Sequence, residues 1–248
     1  MTRSFRVLPD ENAAYTAAAD AIVAAGQESI RERGRFVIAL SGGSTPRAVC
    51  PMLVVPPRVQ MVDWSKVEFF FGDERAVPPN DPDSNYNTAR EALLNYLPGL
   101  DRDRVHRMPC ELEDLEAGAR QYEAEIAETL GVRPPQLPVF DLVWLGMGPD
   151  GHTASLFPGS EGLEERERWV VSHYAPGPDA WRMTLTFPVL NAAREALFVV
   201  TGAEKADAFR AIRGGSREYP AGRIDAQRTT WLVDAAAAGE APVAASPG

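Results

Sequence analysis

The sequence predicts an α/β protein with a doubly wound, mostly parallel β-sheet and helices on both of its faces, folded as a single domain. Short, mostly apolar runs, among them residues 35–40 and 67–71, are typical of strands that are buried on both sides. Stretches of helical character separate these runs, and strands that alternate with helices usually pair in parallel. The 248 residues contain no internal repeat and no linker long enough to divide the chain.

Boundary signals define the elements of the first half. Asp10 is suited to cap a long alanine-rich helix, and Gly34 ends that helix before the next strand. A glycine-rich turn leads to a short helix from Pro46, which cannot continue past Pro56. In order, we predict a strand at 5–8, a helix at 11–33, a strand at 35–40, the short helix, a strand at 67–71, a polar loop at 77–84 and a helix at 85–96.

The second half continues the alternation. Its longest helical pattern ends before a proline-rich linker, and the apolar run after that linker is typical of a buried strand. We predict a helix at 111–130, strands at 140–145, 169–173, 183–187 and 196–200, a helix at 203–212, a strand at 230–233 and a last short alanine-rich helix. The predicted domain covers residues 1–240, and residues 241–248 are expected to form a frayed tail.

The composition of the chain limits the kinds of molecule that the protein is expected to bind. A net charge of −10 argues against nucleic acid or an anionic membrane, and it leaves a small molecule as the expected ligand. The chain has no apolar stretch of 18 residues and no apolar segment near its first residue. Cys50 and Cys110 lie far apart and form no redox or metal motif. We expect a cytoplasmic protein with reduced cysteines, either a monomer or a small homo-oligomer.

The loop after the strand at 35–40 has the features of an anion site. Gly42 and Gly43 permit a tight turn with free N–H groups, Thr45 is a good helix cap and Pro46 suits the first helical position. Together with Ser44, these residues predict a phosphate site at a helix N-terminus, although an ordinary strand-to-helix turn is the alternative. The segment is not a Walker loop, because the Gly-Lys-Ser/Thr ending is absent.

Charged residues follow the strand at 67–71. Asp73 can act in acid-base chemistry, and Arg75 can clamp an anion. A solvated charged turn is the alternative interpretation of this segment. Arg182 and Lys205 are two further cation candidates, with surface exposure as the alternative. Lys205 is expected in the first turn of a helix, where the helix dipole disfavours a cation, and that placement favours anion binding.

The segment after the strand at 140–145 is the most informative. It brings Asp150 and His152 to a strand end, and histidine can exchange a proton near neutral pH. We therefore predict His152 as a general base, against the alternative of a core histidine bonded to a carbonyl. Residues 146–151 also match the dinucleotide pattern G-x-G-x-x-G. That function requires a long helix, whereas Pro158 limits any helix here to about two turns.

The sequence lacks the motifs of several other classes of enzyme. His106 and His173 are isolated, and no spacing is typical of a metal site, so we expect no metal and no cofactor. No G-x-S-x-G elbow indicates a serine hydrolase. If the protein is a hydrolase, water is the expected nucleophile.

Taken in order, several segments resemble the 6-phosphogluconolactonase family. The similarity covers residues 35–235, and the pair of DER and DGHTASLFP is its most specific part. The segments are SGGSTP (41–46), FFGDER (70–75), DSNY (83–86), GMGPDGHTASLFP (146–158), RMTLT (182–186) and VTGAEK (200–205).

The resemblance implies a metal-free hydrolysis of 6-phospho-D-glucono-1,5-lactone, on a fold shared with deaminases and ribose-5-phosphate isomerases. It implies that His152 draws a proton from water, with Asp150 or Asp73 orienting either His152 or the water. It also implies a phosphate held by the Gly42–Thr45 amides with Arg75, Arg182 and Lys205, one of which instead faces the developing oxyanion.

Two other functions fit parts of this pattern. Glucosamine-6-phosphate deaminases share the Ser-Gly-Gly loop and the Asp-Gly-His turn, but they carry a glutamate where this chain has Phe157. A phosphosugar isomerase would use the same phosphate loop with other acid-base groups. A non-catalytic sugar-phosphate sensor would keep that loop and lose the histidine, whereas His152, Asp150 and Asp73 are all present.

Overall fold

A computed structural model describes residues 1–240 of the chain. Their strands are β1 (Thr2–Leu8), β2 (Phe36–Leu40), β3 (Val67–Phe71), β4 (Asp73–Arg75), β5 (Leu142–Leu145), β6 (Val170–Ala175), β7 (Ala180–Leu185), β8 (Glu195–Val200) and β9 (Arg228–Asp234). Their α-helices are α1 (Glu11–Arg33), α2 (Ser44–Leu53), α3 (Arg58–Met61), α4 (Asn85–Ala92), α5 (Leu115–Leu130), α6 (Phe187–Ala192), α7 (Ala206–Arg213) and α8 (Ala235–Ala238).

The main sheet has six strands in the order β1-β9-β8-β5-β2-β3, and every neighbouring pair is parallel. The chain passes from β2 outward to β3 on one side, and it continues through β5, β8 and β9 on the other. The strand order therefore reverses between β2 and β5, and sheets of this kind bind ligands at such a point. The predicted doubly wound, mostly parallel α/β fold is confirmed.

Local signals and apolar burial explain the main elements. The Asp10 side chain accepts a hydrogen bond from Ala13 N at 2.8 Å, and Gly34 ends α1 with a φ of 76°. Every residue of β2, β3, β5 and β8 is buried, as expected of strands covered on both faces. Phe198 and Trp231 stack across β8 and β9 with ring centroids 3.8 Å apart.

A second, smaller sheet was not predicted. It contains β4, β7 and β6 in that order, with both pairs antiparallel. The three residues of β4 are charged and carry no apolar alternation, so sequence periodicity could not reveal this strand. Leu185 N donates to Gly72 O at 2.8 Å and joins this sheet to the end of β3. The small sheet consequently lies at the carboxyl edge of the large one.

Some predicted helix boundaries were wrong. Helix α2 begins at Ser44 with Gly43 before it, so Thr45 is not the cap and Pro46 is not the first helical residue. The positive φ of Gly43, 89°, turns the chain into the helix earlier than expected. Helix α5 begins at Leu115 because the Asp114 side chain accepts from Ala117 N at 2.9 Å.

Two further element boundaries differ from the prediction. The predicted helix at 85–96 ends its α-helical part at Ala92, and a short 3₁₀ turn follows. The strand expected at 183–187 stops at Leu185, since Phe187 begins α6 with a proline after it. After residues 146–151, where Pro158 leaves room for about two turns of helix, the structure instead has a turn closed by the bridge between Thr153 and Leu156.

The last short alanine-rich helix was predicted correctly and is α8. In the structure the Asp234 side chain caps it. The prediction of a frayed tail at 241–248 lies outside the described residues.

Candidate active site

The carboxyl ends of four adjacent strands, β8, β5, β2 and β3, surround a cavity of about 230 Å³. The small sheet closes one side of it. Nine of the ten predicted site residues line this cavity: Gly42, Gly43, Ser44, Thr45, Asp73, Arg75, His152, Arg182 and Lys205. The tenth, Asp150, contacts His152 from outside the cavity lining. The predicted site residues thus lie together at one edge of the sheet.

His152 and Asp150 form a close pair. The His152 Nδ1 atom lies 2.6 Å from Asp150 Oδ1, which also accepts from the His152 backbone N–H at 3.2 Å. A carboxylate only accepts, so Nδ1 carries a proton, and in the neutral imidazole Nε2 keeps its lone pair. Partial burial would raise the pKa of Asp150, but the hydrogen bonds and charge of His152 outweigh it and lower that pKa. The arrangement leaves Nε2 as a proton acceptor.

Position 148 has room only for glycine, because it lies against the pair of His152 and Asp150. A Cβ atom on Gly148 would lie 2.2 Å from His152 Nδ1 and 2.8 Å from Asp150 Oδ1. The Gly148 N–H also donates to the His152 carbonyl at 3.0 Å. Ala154, in the same turn, has a φ of 48°, a conformation that costs energy for a residue other than glycine. The backbone therefore holds His152 in a tight turn against the end of β5.

The glycine-rich loop at residues 41–45 also lines the cavity. Gly43 places Ser44 and Thr45 in the first turn of α2, where backbone N–H groups have no partner within the helix. A Cβ atom on Gly42 would lie 1.7 Å from Asn85 Oδ1, so only glycine lets Asn85 approach this loop. The loop is suited to hold an anion.

Two arginines meet across the small sheet. Arg75 on β4 and Arg182 on β7 are register partners, and both are partly buried. Among the described residues, each guanidinium bonds only to a backbone carbonyl, that of Asp83 for Arg75 and that of Trp181 for Arg182. Burial, with the nearby charge of Arg75, lowers the pKa of Arg182. Two adjacent cations without a carboxylate partner are typical of an anion site.

Lys205 provides a third cation. It lies at the end of a 3₁₀ turn, directly before α7 and not in the first turn of that helix. The Nζ atom donates to the Thr201 carbonyl at 2.7 Å, and the nearest carboxylate oxygen, of Glu204, is 3.8 Å away. Its side chain is only 14% exposed, so the charge is directed into the cavity region.

Residues 9–232 match the family described as glucosamine-6-phosphate isomerases/6-phosphogluconolactonase. The chain belongs to this family. A 6-phosphogluconolactonase of Nostoc is 37% identical over 247 residues, covering 98% of this chain and 100% of the relative. One from Mycobacterium tuberculosis is 38% identical over 250 residues, covering 98% and 100%.

Solved structures of related proteins have the same fold as this chain. The 6-phosphogluconolactonase of Trypanosoma cruzi is 32% identical with a TM-score of 0.85, and 96% of each chain is covered. A monomeric glucosamine-6-phosphate deaminase has a TM-score of 0.76 at 21% identity, covering 96% of this chain and 99% of that one. The second likeness shows the shared fold alone.

Phe157 packs against His152. Its ring stacks on the His152 ring, with centroids 4.1 Å apart and planes 30° apart. Phe157 is buried and lines the cavity, and it supplies no acid there. Phe157 therefore forms an apolar wall behind His152.

Sequence reasoning missed two polar residues of the site. Asn85 donates through Nδ2 to the Asp73 carbonyl at 2.9 Å and to Asp73 Oδ1 at 3.2 Å. The Ser155 hydroxyl donates to Asp73 Oδ2 at 2.7 Å. Asp73 does not contact His152; it is buried and lines the cavity between these two donors. Both missed residues lie in motifs quoted above, but serine and asparagine are common in turns and carry no distinct local signal.

Glu74 in the DER segment has a structural role. Its carboxylate accepts hydrogen bonds from Asn85 N at 2.8 Å, Tyr86 N at 2.9 Å and the Ser84 hydroxyl at 2.9 Å. Burial raises the pKa of Glu74, although these donors act in the opposite direction. The carboxylate thereby anchors the start of α4, which carries Asn85 into the site.

The remaining histidines and the cysteines lie outside the cavity lining. His106 is buried between Glu125, at 2.8 Å, and Glu68, at 3.1 Å. Cys50 and Cys110 are free and buried. No helix within residues 1–240 has the length and apolarity needed to cross a membrane.

Proposed function

We propose that this protein hydrolyses 6-phospho-D-glucono-1,5-lactone to 6-phospho-D-gluconate, a step of the oxidative pentose phosphate pathway, with water activated by His152. One observation carries the proposal. A histidine held by a carboxylate shares a small cavity with two guanidiniums that have no carboxylate partner within residues 1–240. The 6-phosphogluconolactonases that resemble the chain over nearly its whole length support the choice of substrate.

His152 acts as general base in this reaction. Its Nε2 lone pair takes a proton from water as the water oxygen attacks the lactone carbonyl carbon. The tetrahedral intermediate then collapses, the bond between that carbon and the ring oxygen breaks, and His152 returns the proton to the ring oxygen. Asp150 keeps the required tautomer and stabilises the imidazolium that forms between the two steps.

The cations anchor the substrate through its phosphate. Arg75, Arg182 and Lys205, with the Ser44 and Thr45 amides, form a set of donors that a phosphate dianion satisfies. One of the three cations instead faces the oxyanion that develops on the carbonyl oxygen. Anchoring at the far end of the sugar leaves its lactone carbonyl at His152, and such orientation lowers the barrier of an already reactive ester.

Asp73 serves as an acceptor for the substrate or for the attacking water. It lines the cavity, and its two donors, Asn85 and Ser155, fix the direction of its carboxylate. The separate positions of Asp150 and Asp73 divide their roles, since Asp150 orients the base and Asp73 faces the ligand.

The proposal assigns no step to a metal ion or an organic cofactor. Among residues 1–240, no group of three or more His, Cys, Asp or Glu side chains is arranged to hold a metal. Activity is accordingly expected to persist in the presence of a strong chelator.

Acid release from freshly prepared 6-phosphogluconolactone tests the function. The protein should accelerate it far above the spontaneous rate, and it should release no ammonia from glucosamine-6-phosphate, since Phe157 replaces the deaminase acid. Ammonia release without acid release would contradict the proposal and favour a deaminase.

A further inference from the structure

Ser155 connects the turn that carries His152 to every strand of the small sheet. Its hydroxyl donates to Asp73 Oδ2 on β4 at 2.7 Å, and its N–H donates to Thr184 Oγ1 on β7 at 3.3 Å. Its carbonyl lies 2.9 Å from His173 Nε2 on β6. All three polar groups of this buried residue thus have a partner, and each partner belongs to a different strand.

The contact with His173 has a defined direction. A carbonyl only accepts, so the Nε2 atom of His173 carries the proton that the Ser155 carbonyl receives. Burial lowers the pKa of His173 and favours its neutral form. His173 is also the register partner of Arg182. The same hairpin therefore positions an anion-binding arginine and anchors the backbone of the His152 turn.

The contact with Asp73 reaches the cavity itself. One carboxylate oxygen of Asp73 is held by Ser155 and the other by Asn85, and the carboxylate is almost fully enclosed. Its remaining lone pairs are directed by these two donors. Loss of the serine hydroxyl frees one oxygen, and the carboxylate can then rotate away from the ligand.

We propose that Ser155 is a positioning residue, which holds the His152 turn in register with the small sheet and fixes the Asp73 carboxylate toward the substrate. The inference rests on the lactone hydrolysis proposed above. Ser155 acts through Asp73, so the two residues form one functional unit, and residues that act as a unit show non-additive effects on rate.

A double-mutant cycle tests this coupling. The variants are Ser155→Ala, Asp73→Ala and their combination, with kcat and KM measured on freshly prepared 6-phosphogluconolactone. We expect Ser155→Ala to lower kcat roughly 10-fold, because small displacements of reacting groups are costly. The combined variant should match Asp73→Ala within about twofold, since the hydroxyl has lost its target.

A matched serine supplies the control. Ser160 is also buried, and its hydroxyl donates to the Phe157 carbonyl at 2.8 Å without lining the cavity. Ser160→Ala should leave kcat unchanged within about twofold. Ser155→Cys keeps a weak donor at the same atom, so its kcat should fall between those of wild type and Ser155→Ala. It replaces Ser155→Ala in the cycle if the alanine variant does not fold.

The outcomes separate this inference from the proposed function. A wild type without lactonase activity contradicts the function, and with it the inference. With an active wild type, a fully active Ser155→Ala variant contradicts the inference alone. Rate losses that multiply in the combined variant also contradict it, since they indicate a general packing role for Ser155.

Discussion

Arg75 and Arg182 occupy directly paired positions on the antiparallel strands β4 and β7, and neither guanidinium bonds to a carboxylate within residues 1–240. Like charges at directly opposite positions destabilise a sheet. The fold retains this unfavourable pair in the lining of the cavity, which it shares with the glycine-rich loop at residues 41–45. An anion bound between the two guanidiniums would attract both of them and offset their mutual repulsion. Binding of an anion should therefore stabilise the folded protein.

Inorganic phosphate should therefore raise the melting temperature of the wild type, because a ligand that binds only the folded state stabilises it. Arg182→Met should lose most of this increase, and without phosphate it should be at least as stable as wild type. Thermal unfolding with and without phosphate checks both expectations. Arg31→Met removes a highly exposed arginine and is the control. Equal phosphate shifts in all three proteins would place the anion elsewhere.

The Asp150 carboxylate should matter through the tautomer of His152. In Asp150→Asn, the side-chain amide can rotate and donate to Nδ1, which moves the imidazole proton to Nε2 and removes the base. We expect kcat to fall roughly 10–10³-fold with little change in KM. Asp207→Asn, on an almost fully exposed carboxylate, should have wild-type kinetics. A raised KM at unchanged kcat would assign Asp150 to substrate binding.

Gly148 should tolerate no side chain. In Gly148→Ala, the new Cβ would lie 2.2 Å from two ring atoms of His152, so the ring must move. A displacement of about 1 Å costs on the order of 10²-fold in rate, and we expect a loss of kcat of that size in a folded protein. Gly72→Ala is the matched control, because its Cβ meets nothing nearer than 3.5 Å. Full activity in Gly148→Ala would contradict the observed position of His152.

His106 should make stability depend on pH. Burial would lower the pKa of His106, but the hydrogen bonds and charges of Glu125 and Glu68 outweigh it and raise that pKa from 6.5 to about 9. A raised pKa in the folded state stabilises the protein below pH 6.5, and this contribution disappears as the pH rises through about 9.

Urea unfolding of wild type and His106→Asn over this pH range measures the effect. The variant should be less stable below pH 6.5, and the difference in unfolding free energy should shrink as the pH approaches 9. The difference in unfolding free energy could instead stay constant over the whole pH range. His106 would then contribute by packing on Phe70, whose ring centroid lies 4.2 Å from its own, and not by its charge.

The main sheet and most of the site could be predicted because their signals are local. Val67–Phe71 is apolar except for Glu68, and it matches β3 residue for residue. The carboxyl ends of parallel strands share an edge, so groups as distant in sequence as Gly42 and His152 were expected to meet there. The structure brings them together in one cavity.

The small sheet and its contacts could not be predicted in this way. Strand β4 has only three residues, and its pairing with β7 joins segments that are remote in sequence. The sequence could not show which of Asp150 and Asp73 supports His152. In the structure Asp150 is hydrogen-bonded to His152, whereas Asp73 on β4 accepts from Ser155. Hydrogen bonds between distant polar side chains leave no periodic pattern in a sequence.

Acid release from fresh 6-phosphogluconolactone by wild type and His152→Ala, measured at constant pH above the spontaneous background, tests the proposed mechanism most directly. His152 supplies the base, so we expect kcat/KM to fall roughly 10²–10⁴-fold in the variant while the melting temperature and its response to phosphate remain. An unchanged rate in His152→Ala would contradict the mechanism and require another group to activate the water.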